Sequence, residues 1–186
     1  MDKRWLGPWC LVVALQLLAW APASADQRDP RLPSLFEALQ RADAVAGRQI
    51  DEKIWAIWSE IDDAESQLQL ERGSVAMANR RYTEALAAFD ALVRRSPEFA
   101  EGWNKRATLF WLTDELDRSV EDIRRTLTLE PKHFGALSGL GLIFMTIGKP
   151  QPALESFEAA LAVHPFLPGG KQNIEVLRGQ LGDQEL

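Results

Sequence analysis

The sequence has few of the side chains that carry chemistry. Its 186 residues include one cysteine, Cys10, and two histidines, His133 and His164. One cysteine excludes a disulfide scaffold and a multi-cysteine zinc or iron–sulfur site. Positive charge is also short: 21 Lys and Arg face 27 Asp and Glu, a net charge of −6. A surface that displaces phosphate counterions needs the opposite balance, so a basic nucleic-acid binder is excluded. No apolar run reaches the roughly 20 residues that a membrane-crossing helix requires. The chain does have 46% hydrophobic residues, enough to bury a core at this length.

The first 25 residues have the layout of a secretory signal. Lys3 and Arg4 precede an apolar run from Trp9 to Ala21 that only Gln16 interrupts, and Pro22 leads into Ala23-Ser24-Ala25. Cleavage is expected after Ala25, with export to the periplasm of a Gram-negative cell or beyond. An uncleaved anchor would need a longer run. A lipid-modified Cys10 would need a small residue where Trp9 stands. Loss of the leader leaves 161 residues, no cysteine and a net charge of −7. The stability of such an exported chain must come from packing alone.

The clearest feature is a 34-residue period. Pro97, Pro131 and Pro165 follow it, as do Gly73, Ala107 and Gly141; Ala85, Ser119 and Ala153; and Phe89, Ile123 and Phe157. The two small-residue columns suit close contacts within an antiparallel helix pair. The large residues fill the space beside each pair, and the prolines end each unit. Helical faces agree: Ala85, Leu86, Phe89, Leu92 and Val93; then Val120, Ile123 and Leu127; then Leu154, Phe157 and Leu161. Helix pairs are therefore expected at 66–97, 100–131 and 134–165, bending at Asn79-Arg80-Arg81, Thr113-Asp114-Glu115 and Gly148-Lys149-Pro150.

With Trp103, Ala107, Phe110, Leu116, Ser119, Ile123 and Pro131, the middle unit resembles the tetratricopeptide-repeat family. The third unit does so through Leu137, Gly141, Phe144, Ala153, Phe157, Ala160 and Pro165. The first is weaker, with Ala76 where the pattern favours a large aromatic residue. The resemblance implies an all-α, right-handed α–α superhelix, with repeats at 66–99, 100–133 and 134–167.

Such an array needs caps. After the Leu167-Pro168-Gly169-Gly170 turn, Ile174, Leu177 and Leu181 make one apolar face, so 168–186 reads as a capping helix and tail. Before the array, Ser34 and Glu37 have capping-box spacing, and Ile50, Ile54, Ile57, Trp58 and Ile61 recur on a helical face. Residues 34–65 read as a degenerate capping repeat, with Asp51 and Trp55 where Ala and Phe are expected. Residues 26–33, with Pro30 and Pro33, read as flexible.

Nothing in this pattern points to catalysis. His133 and His164 fall in inter-unit turns without a second ligand at helical spacing, so they read as solvent-facing or as helix caps. Asp62-Asp63 and Asp114-Glu115 read as helix starts and turns. No enzyme activity, metal or cofactor is expected.

The family resemblance implies that the first helix of each unit lines a concave face. Its residues would be Leu70, Ser74 and Met77; Asn104, Lys105, Thr108 and Trp111; and Ser138, Gly139, Leu142 and Met145. Trp111 and the methionines have the alternative of packing between units. Some family members grip a C-terminal carboxylate on this face with Lys, Arg and Asn, but Leu70, Ser74, Ser138 and Gly139 occupy those places here. Gly139 is unusual, since a helical glycine costs about 1 kcal/mol relative to alanine and this one lies outside the small-residue columns. It would keep one wall low for an approaching backbone. The sequence therefore reads as a non-catalytic adaptor for a protein or peptide partner. One alternative is self-assembly, as a structural unit of an envelope assembly, through the apolar N-terminal face around Trp55 and Trp58; another is an enzyme or ligand-binding protein whose site the sequence does not reveal.

Overall fold

The 34-residue period becomes three helix pairs because each pair joins a small residue to a large one across its own interface. The computed structural model describes residues 26–184, so the leader, Cys10 and the cleavage site lie outside the described residues. Nine helices and no strand occur among them. They are α1 Leu32–Arg41, α2 Ala44–Trp58, α3 Ala64–Ala78, α4 Tyr82–Arg95, α5 Ala100–Leu112, α6 Leu116–Leu129, α7 Phe134–Thr146, α8 Pro150–Val163 and α9 Gly170–Gln184. The pairs α3/α4, α5/α6 and α7/α8 are the three repeats, and α9 packs on α8 through Ile174 and Leu177.

Within the pairs, Gly73 lies under Phe89 and Gly141 under Phe157; a Cβ on either glycine would come within 2.4 Å and 2.8 Å of the ring. The middle repeat reaches the same fit with Ala107 and Ile123, both buried. Volume is conserved by exchanging Gly/Phe for Ala/Ile. Gly73→Ala is therefore expected to lose about 1–2 kcal/mol of stability in urea unfolding, since overpacking outweighs the gain in helix propensity. Gly73→Ala combined with Phe89→Ile copies the middle repeat and should recover most of that loss.

The turn inside each pair has its own period. Arg80, Asp114 and Gly148 all have φ near +60 to +70°, at 58°, 62° and 69°. After each first helix the next backbone N–H returns to a carbonyl five residues back: Arg81 to Ala76, Glu115 to Phe110 and Lys149 to Phe144, each at 2.8 Å. These are Schellman caps, and they satisfy the last carbonyls of α3, α5 and α7. At the start of the first repeat, Asp63 caps α3 by accepting from the Ser66 N–H at 2.9 Å, as expected for a helix start. Arg106 bridges Asp90 and Asp122, tying α4, α5 and α6 together.

The N-terminal helices depart from expectation. They do not stack ahead of α3 as a degenerate repeat. Instead α1 and α2 lie along the row of inter-unit turns, where Leu32, Phe36, Leu39, Ile54, Ile57 and Trp58 bury themselves with Phe134 and against Val163, Phe166 and Leu167. Gln40 donates to the carbonyls of Ala162 and Val163 at 2.9 and 2.7 Å. Asp51 faces His164 at 3.4 Å. The physical reason is that Asp51 and Trp55, which spoil the repeat columns, match partners on the turns rather than on α3.

Two smaller expectations also change. The Ser34/Glu37 capping box does not form: α1 begins at Leu32 with Pro33 in its first turn, and the Ser34 hydroxyl donates to the Arg31 carbonyl at 2.9 Å. A proline fits there because the first-turn N–H groups have no helical acceptor. Nor is the segment before α1 loose. Gln27 donates to the Glu98 carbonyl and accepts from the Ala100 N–H at 3.2 Å, binding the segment to the α4–α5 turn.

Candidate functional site

The faces of α5 and α7 that turn toward each other carry mostly small or uncharged side chains, and a cavity of about 150 Å³ opens between them. Ala107, Ile123, Ser119 and Ile143 form its floor; Asn104, Thr108 and Trp111 line it from α5, and Gly135, Gly139 and Leu142 from α7. The floor is buried, whereas Trp111 and Leu142 stand 39% and 37% exposed at the rim. Ser119 donates to the Ala107 carbonyl at 2.8 Å, so its hydroxyl is used inside the repeat.

Five of the eleven residues expected on the concave face meet here: Asn104, Thr108, Trp111, Gly139 and Leu142. The others do not. Leu70 is buried in the core with Leu109, and Met77 packs against the same cluster. Met145 packs against Ala153, Phe157, Ile174 and Leu177. These three fill space between successive helix layers, which is the alternative weighed for the methionines. Ser74 and Ser138 are half-buried outside the cavity, and Lys105 is committed to Glu101 at 3.1 Å.

Beneath the cavity lies a polar cluster that sequence reading missed. Glu101 is 1% exposed. Its Oε2 accepts from Asn104 Nδ2 at 2.8 Å and from His133 Nε2 at 3.1 Å. His133 Nδ1 accepts from the Ala136 N–H at 3.1 Å, capping α7. Both bonds together require the neutral Nε2–H tautomer. His133 is thus a helix cap, as one reading had it, but it is fully buried and stacked 4.2 Å from Trp58. His164 is buried as well, which corrects the solvent-facing expectation. Burial lowers its pKa, and the nearby Asp51 carboxylate acts in the opposite direction. The signal available in the sequence was positional: His133 occupies the column of Phe99 and Leu167, where an apolar side chain is the rule. Among the described residues no group of three or more His, Cys, Asp or Glu could hold a metal ion.

The N-terminal hairpin borders the cavity. Trp55 rests on Gly135, where a Cβ would lie 2.7 Å from the ring, and Lys105 sits 5.8 Å from the Trp55 ring centre. Of the aromatic pair that the alternative reading offers to a second copy, Trp58 is only 1% exposed and Trp55 is half-buried. No helix among the described residues is long and apolar enough to cross a membrane.

The tetratricopeptide-repeat profile matches residues 70–134. A TPR repeat-containing protein of Rhizobium etli is 32% identical over 152 residues, covering 81% of this chain and 74% of its own length. The chain belongs to the tetratricopeptide-repeat family. Another TPR relative, small glutamine-rich tetratricopeptide repeat-containing protein 2 of Saccharomyces cerevisiae, is 30% identical over 106 residues, or 55% of this chain and 31% of that protein. The fold is similar to the first TPR of Spaghetti (RPAP3) bound to an HSP90 peptide, with TM-score 0.62, 16% identity and coverage of 65% of this chain and 96% of that one. It is also similar to MamA, with TM-score 0.61, 18% identity and coverage of 78% and 83%. At these identities the TPR structures show the fold alone, an all-α solenoid.

Proposed function

We propose that this TPR protein is a non-catalytic adaptor of the cell envelope that holds a segment of another protein in the groove between α5 and α7. The observation that carries the reading is the rim itself. Trp111 and Leu142 remain exposed beside an uncharged cavity on the face where other large apolar side chains are packed away. Exposed aromatic anchors beside a pocket are where binding energy concentrates. The HSP90 peptide of the RPAP3 repeat does not carry over, because Leu70 is part of the core and Gly139 offers no side chain to grip a carboxylate. The envelope assignment rests on the leader-like residues 1–25 and on the lack of cysteine after them.

Affinity capture from envelope extracts tests the reading, with Trp111→Ala beside the wild type. Loss of a hot-spot tryptophan is expected to weaken retention by about 30-fold, equivalent to about 2 kcal/mol. Equal capture by both proteins would remove the groove from the mechanism. Fractionation should place the chain in the envelope with Asp26 as its first residue.

A further inference from the structure

Four helical glycines in this chain serve as seats for side chains from other parts of it. A Cβ at Gly47 would lie 2.7 Å from Phe166, at Gly73 2.4 Å from Phe89, at Gly141 2.8 Å from Phe157 and at Gly135 2.7 Å from Trp55. In each case the ring occupies the space that a methyl group would need. Gly139 differs, for the nearest atom to its Cβ position is Ile123 Cδ1 at 3.6 Å, an ordinary contact. It lies one turn beyond Gly135 on the same face of α7, and it lines the α5–α7 cavity. The inner face of α7 therefore carries two glycine seats in series, the first holding Trp55 of α2 and the second facing the cavity.

Asn104 supplies a second, independent observation. It is only 8% exposed and lines the same cavity. One of its N–H groups is held by Glu101, while its carboxamide oxygen accepts no hydrogen bond among the described residues. That oxygen is not sealed from solvent, so it is open to accept a backbone N–H from a guest. None of the lining residues is charged, so a charged guest side chain would lose its hydration without compensation. A cavity of about 150 Å³ has room for a benzene ring.

We infer that the cavity is a receptor for one phenylalanine side chain on an uncharged stretch of a partner protein. The ring lies over Gly139 between Trp111 and Leu142, and a backbone N–H beside it donates to Asn104 Oδ1. The partner segment continues the line of contact that α2 begins at Gly135. This inference rests on the adaptor reading and names the chemistry of its guest.

Selection of random dodecapeptides on the protein tests it. Enriched peptides are expected to carry Phe flanked by uncharged residues, and to bind at least tenfold more weakly to Gly139→Leu, whose side chain fills the seat. Leu142→Lys, a rim change on an exposed position, should give the same loss and guards against misfolding of the first variant, with far-UV circular dichroism as the check. Gly139→Ala has room for its methyl group and should raise Tm by about 2–4 °C while weakening the peptides. Enrichment of peptides without Phe, no enrichment, or unchanged binding to both Gly139→Leu and Leu142→Lys would overturn the inference. Envelope-protein capture that survives in Gly139→Leu also overturns the seat, yet leaves the adaptor reading intact. Phe-selective peptides without a captured envelope protein support the seat and count against the envelope partner.

Discussion

Trp58→Ala is expected to remove about 3–5 kcal/mol of stability and to release the N-terminal hairpin from the array. Trp58 is 1% exposed, stacked on His133 at 4.2 Å and packed edge-on to Trp55 at 5.4 Å, with Phe36 and Phe134 at 6.0 and 5.0 Å. Trp58 of α2 thereby joins α1 through Phe36 and α7 through Phe134. Its indole N–H has no hydrogen-bond partner among the described residues, so what it contributes comes from apolar contact rather than polarity. Trp58→Phe should therefore cost much less, because it keeps a ring in the slot and removes an unsatisfied donor. Urea unfolding followed by hydrogen exchange gives both readouts. In Trp58→Ala, amides of α1 and α2 should exchange ahead of those in α5 to α8. A uniform loss of protection throughout the chain would refute local release.

Glu101→Ala should be similarly severe, about 3–5 kcal/mol, because it breaks a buried charged cluster from one side. Without the carboxylate, the His133 Nε2–H loses its acceptor and Lys105 its counter-charge, while the Asn104 amide is left unpaired. The same group predicts a pH dependence. Burial pushes the Glu101 carboxyl pKa up, but the hydrogen bond from His133 and the charge of Lys105 outweigh it, and the pKa falls below its ordinary value of 4.5. A carboxyl whose folded pKa is depressed contributes stability above its unfolded pKa and loses it as pH falls through the folded one. Wild-type protein should thus lose part of its stability below about pH 4.5, and Glu101→Gln should lose correspondingly less over the same range. Identical acid slopes in the two proteins would contradict this assignment.

The array was legible because its information is local and repeated. Columns such as 73/107/141 and 89/123/157 report contacts within one pair, and the pair is the unit the period describes. The position of the N-terminal hairpin was not legible, because no period links α2 to turns about 75 to 115 residues further along. Its traces were there as exceptions. Asp51 and Trp55 break the repeat pattern because they serve His164 and Gly135, and His133 breaks an apolar column because it serves Glu101 and α7. The candidate site was half legible for a related reason. Helical phase places Leu70, Met77 and Met145 on the same face as Asn104 and Trp111, but phase does not say how tightly neighbouring layers close. Between α3 and α5 they close over Leu70, and between α7 and the last helices over Met145, whereas between α5 and α7 the glycines leave a gap.

An open solenoid behaves as a spring, since each repeat touches only its neighbours and small rotations between them accumulate along the axis. In this chain the segment before α1 is anchored to the first turn through Gln27, and the hairpin that follows it to the second through Trp58 and to the third through Gln40 and Asp51. A spring braced at three points along one edge can neither lengthen nor uncoil without tearing the brace away. The distance between α5 and α7 is then set by the chain's own brace, so a groove of the kind proposed would select for shape instead of moulding itself to a guest.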